Sequence, residues 1–162
     1  MRETTNRNDH PRIAIYNTTY HPGLAKNSPY CGTSVEWAIK QAGWNSVIEY
    51  APMARNWSLK KDYIVWSRAT GPLTRNGRKY TPQRNDVVVF YSSGRWHVGL
   101  LEDWQEGNAY CKTVEGNTSD RGVNGIKKPT GREGVYDEKI RNKKDIYCIV
   151  RPYWIAMHVN PQ

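Results

Sequence analysis

Asp86-Val87-Val88-Val89-Phe90-Tyr91 is β-branched and almost continuously apolar, the pattern of a strand buried on both faces in the middle of a sheet. Downstream of it, Trp96 to Asp103 and Ala109 to Glu115 flank Trp104-Gln105-Glu106-Gly107-Asn108 and read as a hairpin, and Ile146 to Arg151 supplies a last strand. Upstream, beyond the Arg75-Asn76-Gly77 turn, the period becomes helical. Val35, Ala38, Ile39 and Ala42 fall at i, i+3, i+4 and i+7, so the stretch after Ser28-Pro29-Tyr30 is a helix with one apolar face that stops at Gly43. An earlier helix runs from Pro11 to about Thr18, capped by Asp9, and a short third one lies around Met53 to Lys60. Helices first and an antiparallel sheet second make an α+β domain.

The 162 residues are 38% hydrophobic and 24% charged, which fits one domain with a real core. We find no repeat, low-complexity tract or linker, and place no domain boundary inside the chain. No apolar run approaches the roughly 18 residues of a bilayer span, and Met1 to His10 is polar, so the expectation is a soluble chain without a classical export signal. Cys31, Cys111 and Cys148 do not suggest a disulfide framework. Lys and Arg number 24 against 15 Asp and Glu, a net charge of +9 that favours polyanionic partners: nucleic acid, an anionic membrane or an anionic cell wall. The aromatic set is lopsided, 7 Trp and 11 Tyr against 1 Phe, and such amphipathic rings suit wet grooves as well as half-buried positions.

Cys31 opens the second helix, where unpaired N–H groups and the helix dipole favour an anion and lower a thiol's pKa. The competing reading is a small buried hydrophobe. The hairpin tips the balance, with His97 at the start of one strand and Glu115 and Asn117 at the end of the next. If residues 104–108 form the loop, Asp103 pairs with Ala109 and His97 faces Glu115; if residues 106–108 do, Gln105 pairs with Ala109 and His97 faces Asn117. Directly opposed side chains share a face with Cβ atoms about 4.5–5.5 Å apart, so either partner can hold the imidazole, whereas an even-length loop sets the pair diagonally. A Cys–His pair with a third orienting group is the arrangement for nucleophilic cleavage of amides.

Several stretches together resemble, in order along the chain, the CHAP family of cysteine amidases and peptidases, within the wider papain-like superfamily. They are Asn8-Asp9-His10-Pro11-Arg12-Ile13, Pro29-Tyr30-Cys31-Gly32-Thr33-Ser34-Val35-Glu36-Trp37-Ala38-Ile39-Lys40-Gln41-Ala42-Gly43, Met53-Ala54-Arg55-Asn56-Trp57, Asp86-Val87-Val88-Val89-Phe90, His97-Val98-Gly99 and Glu115-Gly116-Asn117-Thr118-Ser119. The resemblance implies a papain-like fold, with the nucleophile helix packed on an antiparallel sheet, and peptidoglycan as substrate, cut at the muramoyl–alanine amide or within the peptides. It implies Cys31 as nucleophile, His97 as base, and Glu115 and Asn117 as the remaining polar members, with no cofactor. It also implies a protein made in the cytoplasm that reaches the wall after release or translocation, as a phage endolysin beside a holin or as an antibacterial effector with an immunity protein.

Three departures from the family pattern matter. Tyr30 stands where relatives carry Trp or Gln, which leaves the Cys31 N–H, aided by the Tyr30 hydroxyl, as candidate oxyanion donor. Asn85-Asp86 replaces Gly-Asp, and Asn tolerates left-handed backbone. Tyr16 to Tyr30 contains no Asp or Glu, so no calcium loop is expected there, and no His/Cys spacing suggests zinc.

Candidate substrate contacts are Tyr30, Trp44 and Arg121. Trp37 reads as core, and Trp96 as pointing to the face opposite His97. Arg121 to Lys144 reads as a basic, loop-rich excursion suited to anionic wall polymer or simply solvated. Cys111 and Cys148 read as core residues, and His10, His21 and His158 as surface or capping ones. Two other readings are a thiol hydrolase or transferase on a non-peptidoglycan amide or ester, and a non-catalytic basic module binding a polyanion such as nucleic acid. Against the last, the basic residues are spread out and no RRM, KH or zinc pattern is visible.

Overall fold

A computed structural model describes residues 1–3 and 5–151. The chain runs through α1 (Pro11–Thr19), α2 (Cys31–Gln41), 3₁₀ turns at Ala54–Ser58 and Lys61–Tyr63, and strands β1 (Ile64–Ser67), β2 (Gly71–Pro72), β3 (Thr74–Arg75) and β4 (Arg78–Lys79). It continues through β5 (Val87–Ser92), β6 (Arg95–Asp103), β7 (Tyr110–Ser119), β8 (Glu133–Asn142), a 3₁₀ turn at Lys143–Asp145 and β9 (Ile146–Val150). Seven strands form an antiparallel sheet in the order β2-β1-β9-β5-β6-β7-β8, and β3 and β4 pair apart from it. The fold class is therefore α+β, as the sequence pattern predicts. No helix among the described residues is long and apolar enough to cross a membrane.

The apolar run at Val87 lies between β9 and β6 and is buried from Val87 to Phe90, with Tyr91 exposed at its end. Its side chains alternate between two cores. Val87 and Val89 join Val98, Cys148 and Val150 against Val35 of α2 and Trp57, whereas Val88 and Phe90 join Val65, Leu101, Cys111 and Ile149. Each such side chain contributes about 1.5–3 kcal/mol relative to exposure, so a polar residue anywhere in the run would cost an entire layer contact. Asn85, just before the strand, has φ 72°, the left-handed geometry foreseen for it.

The last strand enters the middle of the sheet, between β1 and β5. A buried ion pair anchors its end: Arg151 Nε donates to Asp86 Oδ1 at 2.8 Å and Nη2 to Oδ2 at 2.9 Å, and Nη2 also donates to the Thr81 carbonyl. Removing one member of such a pair strands the other charge, at a cost of about 3–5 kcal/mol. Asp86→Ala is thus expected to lower the urea midpoint sharply, and an unchanged midpoint would refute this account of the anchor.

Three sequence expectations change. α1 is capped by His10, whose Nδ1 accepts from the Arg12 N–H at 3.2 Å, while Asp9 instead accepts from Thr5. The third helix is a 3₁₀ turn at Ala54–Ser58, followed by a second at Lys61–Tyr63, because Asn56, Leu59 and Tyr63 close short i to i−3 bonds instead of continuing an α pattern. The basic excursion contains a strand: β8 pairs with β7 from Tyr110↔Asn142 to Ser119↔Glu133. Its cationic side chains hid it, since Lys139, buried to 2%, carries its charge onto the Ser119 and Arg121 carbonyls at 2.5 and 2.6 Å. Gly43, with φ 83°, ends α2 as expected.

Candidate active site

The loop before α2 is pinned by buried polar groups. Asn17 of α1 is fully buried, and its amide donates to the carbonyls of Lys26 and Ser28 at 3.2 and 2.9 Å. Its carbonyl oxygen accepts from Thr33 of α2 at 2.7 Å, so one side chain ties both helices to the loop that delivers Cys31. Gly32, the next residue, fits against the Ala51 and Pro52 carbonyls in space that no Cβ could share.

Pairing between β6 and β7 ends at Leu100↔Val114, and the N-terminal end of α2 enters where it ends. Gly116 of β7 lies against Ser34 and the Tyr30 ring. The Val98 N–H donates to the Cys31 thiol, and His97 hydrogen-bonds the same sulfur. His97 Nε2 meets Glu115 Oε2 at 2.8 Å, which leaves Nδ1 for the thiol. Cys31, His97 and Glu115, spread over a helix and two strands, form one contact chain.

The hairpin has neither loop foreseen for it. Residues 104–109 connect the strands and a bulge lies between Leu101 and Asp103. Carrying the Leu100↔Val114 register outward sets Glu115 opposite Gly99, so the carboxylate reaches His97 diagonally. It does so through the space that Gly99 leaves open: a Cβ there would lie 2.6 Å from Glu115 Cγ. Asn117, formally opposite His97 in this register, turns away into left-handed backbone at φ 56°. Its N–H donates to the Tyr30 hydroxyl, so it braces the helix while Glu115 holds the histidine.

Glu115 is 1% exposed and carries four bonds. Oε1 accepts from Thr113 Oγ1 at 2.5 Å and Arg141 Nε at 2.7 Å, and Oε2 accepts from Arg141 Nη2 as well as from His97. Burial alone would raise its pKa, but Arg141 and His97 hold the carboxyl well below its usual range. Burial likewise works against an imidazolium, yet the bonds to Cys31 and Glu115 push His97 up to about 9. For Cys31, burial raises the thiol, and the His97 bond and charge with the Val98 and Gly32 N–H groups outweigh it, so the net direction is down. A lowered thiol beside a raised imidazole shifts the pair toward thiolate and imidazolium. By contrast, burial pushes Cys111 up to about 11 and Cys148 up to about 12, as befits the core thiols they were expected to be.

Other candidate residues lie elsewhere. Tyr30 is fully buried and donates its hydroxyl to Glu3 Oε1 at 2.9 Å, which corrects the expectation that it meets substrate or oxyanion. Trp44 sits past the far end of α2, about 16 Å of helix from Cys31, beside a cavity of about 520 Å³ lined by Ala38, Arg84 and Leu100. Arg121 follows β7 and lies beside Gly131. Trp96 packs tilted against Tyr91 and edge-on against Tyr147, centroids 4.6 and 5.0 Å away, on the face opposite His97, which stacks on Phe90 instead. Trp37 packs edge-on against Tyr16. His21 pairs with buried Glu36 of α2 at 2.6 Å, and His158 lies outside the described residues.

Sequence reasoning missed Arg141, Thr113 and Asn17. The one signal for Arg141 and Thr113 is that both sit at odd positions of their strands, the same parity as Glu115, and the β8 strand that would have made this visible was itself hidden. No protein-family model, curated protein or solved structure matches this chain.

Proposed function

We propose that the chain is a cysteine hydrolase of the CHAP kind, with a papain-like arrangement, that cleaves an amide bond of bacterial peptidoglycan. The observation that carries the chemistry is the contact chain Cys31–His97–Glu115 at the start of α2. The Cys31 thiolate attacks the amide carbonyl, and the resulting oxyanion lies near the first N–H groups of α2, with that of Cys31 as donor. His97 gives its proton to the departing amine as the C–N bond breaks, leaving an acyl thioester on Cys31. It then takes a proton from water, whose oxygen attacks the thioester, and the carboxylic acid leaves as the thiolate reforms. Peptidoglycan as substrate rests on the sequence resemblance, and the net charge of +9 favours the anionic wall. The protein would reach the wall by release through a lysis system or by translocation into a rival cell.

The test is digestion of purified sacculi from several wall chemotypes by the protein and by the same protein alkylated with iodoacetamide, with mass spectrometry of released fragments. New paired amine and carboxyl ends, made only by the unmodified protein, are expected and would name the bond. No products from any wall, from folded protein whose Cys31 alkylates rapidly, would overturn the wall substrate and point to another amide or ester.

The pH dependence has a definite sign. The active ion pair needs His97 protonated, so kcat/KM should fall as pH rises through about 9, and fall on the acid side only once the lowered Cys31 thiolate is protonated. An alkaline limb near 6.5, the ordinary histidine value, would contradict the arrangement.

A further inference from the structure

We infer that Arg141 is a positioning residue for the Cys31–His97 pair: from β8, two strands away from His97, its guanidinium fixes the Glu115 carboxylate in the orientation that holds the imidazole against the thiol. The inference rests on the thiol-hydrolase reading for its purpose, and on contacts alone for its geometry.

Unsupported, a glutamate on a strand would turn about its terminal torsions and present either oxygen to His97. Here the fork removes that freedom. Arg141 Nε takes Oε1 at 2.7 Å and Nη2 takes Oε2, while Thr113 Oγ1 adds a second bond to Oε1. The only remaining direction for Oε2 is the His97 Nε2 that it meets at 2.8 Å. The guanidinium is itself fixed, since Nη2 donates to Thr118 Oγ1 at 3.3 Å. It is linked to the histidine through one more ring: its Cζ lies 5.2 Å from the Phe90 centroid, and Phe90 stacks on His97 with centroids 6.0 Å apart and planes 29° apart.

The other charges around the cluster do not replace it. Lys139, two residues earlier on β8, is directed onto the Ser119 and Arg121 carbonyls. Asp145 of the last 3₁₀ turn acts on Arg141 from outside, Cys111 faces it from β7, and Lys143 of the same turn acts on Cys111. Cys31 of α2 faces only the histidine end. Arginine is required because a lysine ammonium, a single point charge, cannot bond both carboxylate oxygens in plane.

The test reads the thiol directly and needs no substrate. The rate of iodoacetamide alkylation of the Cys31 peptide, followed by mass spectrometry across pH, reports thiolate population in the intact chain. In the wild type the midpoint should lie below that of an ordinary thiol. Arg141→Met should move it up by about one unit, about a tenfold loss of rate on its acid limb, and Arg141→Lys should fall between. A folded Arg141→Met with the wild-type profile overturns the proposal. Should Arg141→Met not fold, Arg141→Lys decides alone: a shifted profile supports the clamp and an unshifted one overturns it. A lowered wild-type midpoint that Arg141→Met raises, with no wall products, leaves the clamp standing and removes only the wall substrate, whereas an ordinary thiol profile in the wild type overturns both.

Discussion

Cys31→Ala is expected to abolish product formation from peptidoglycan, a loss on the order of 10⁶ in kcat, because the nucleophile and its base act as one unit and nothing else at the site can form the acyl intermediate. The loss should come without unfolding. Cys31 is 7% exposed and packs at the edge of the core beside Val98, so removing its sulfur deletes one small contact, about 1 kcal/mol. The neighbouring bonds that shape the start of α2 are made by other groups: Asn17 with Thr33, Tyr30 with Glu3, and Ser34 with the Cys31 carbonyl. The two remaining cysteines provide the contrast. Cys148 is 1% exposed in β9 and Cys111 4% exposed in β7, and at neutral pH both are thiols. Cys148→Ala and Cys111→Ala should therefore lower thermal stability and leave kcat unchanged. Turnover by Cys31→Ala within tenfold of the wild type would refute the proposed nucleophile.

Much of this arrangement is legible in the amino-acid sequence, and the reasons differ by element. The four buried residues from Val87 to Phe90 are read correctly because a strand covered on both faces must be apolar at every position. α2 is read correctly because its apolar face and the glycine that ends it are both local features. What stays hidden depends on contacts between distant segments. β8 looks like a solvated loop, since an edge strand tolerates charge and Lys139 satisfies its ammonium with carbonyls that only folding brings near. The partner of His97 could not be settled because the bulge after Leu101 and the left-handed turn at Asn117 break the simple register on which a choice between Glu115 and Asn117 depends. Arg141 is missed for both reasons together, as it needs β8 to exist and Glu115 to point inward.

Gly99→Ala should then nearly silence the site without touching any group that carries chemistry. The added methyl would sit 2.6 Å from Glu115 Cγ and 2.8 Å from the Val114 carbonyl, closer than real Cβ contacts allow. The carbonyl belongs to the last paired residue of the β6–β7 ladder and has little room to yield, so the glutamate side chain must move. Once it moves, it leaves His97 Nε2, and the imidazole loses both its orientation and the anion that keeps it protonated. Loss of the orienting carboxylate in a catalytic triad costs on the order of 10⁴ in kcat, which sets the scale expected here. The crowding itself should cost about 1–3 kcal/mol of stability, so the variant is measured below its own melting transition. Gly23→Ala is the control, because a Cβ there meets nothing within 4 Å, and it should behave as wild type in both respects. If the mechanism is displacement of Glu115, adding Glu115→Gln to Gly99→Ala should change kcat by less than about threefold, although Glu115→Gln alone is severe. A folded Gly99→Ala that retains most of its activity would show that His97 does not depend on the diagonal carboxylate, and with that the part assigned to Glu115 would fall.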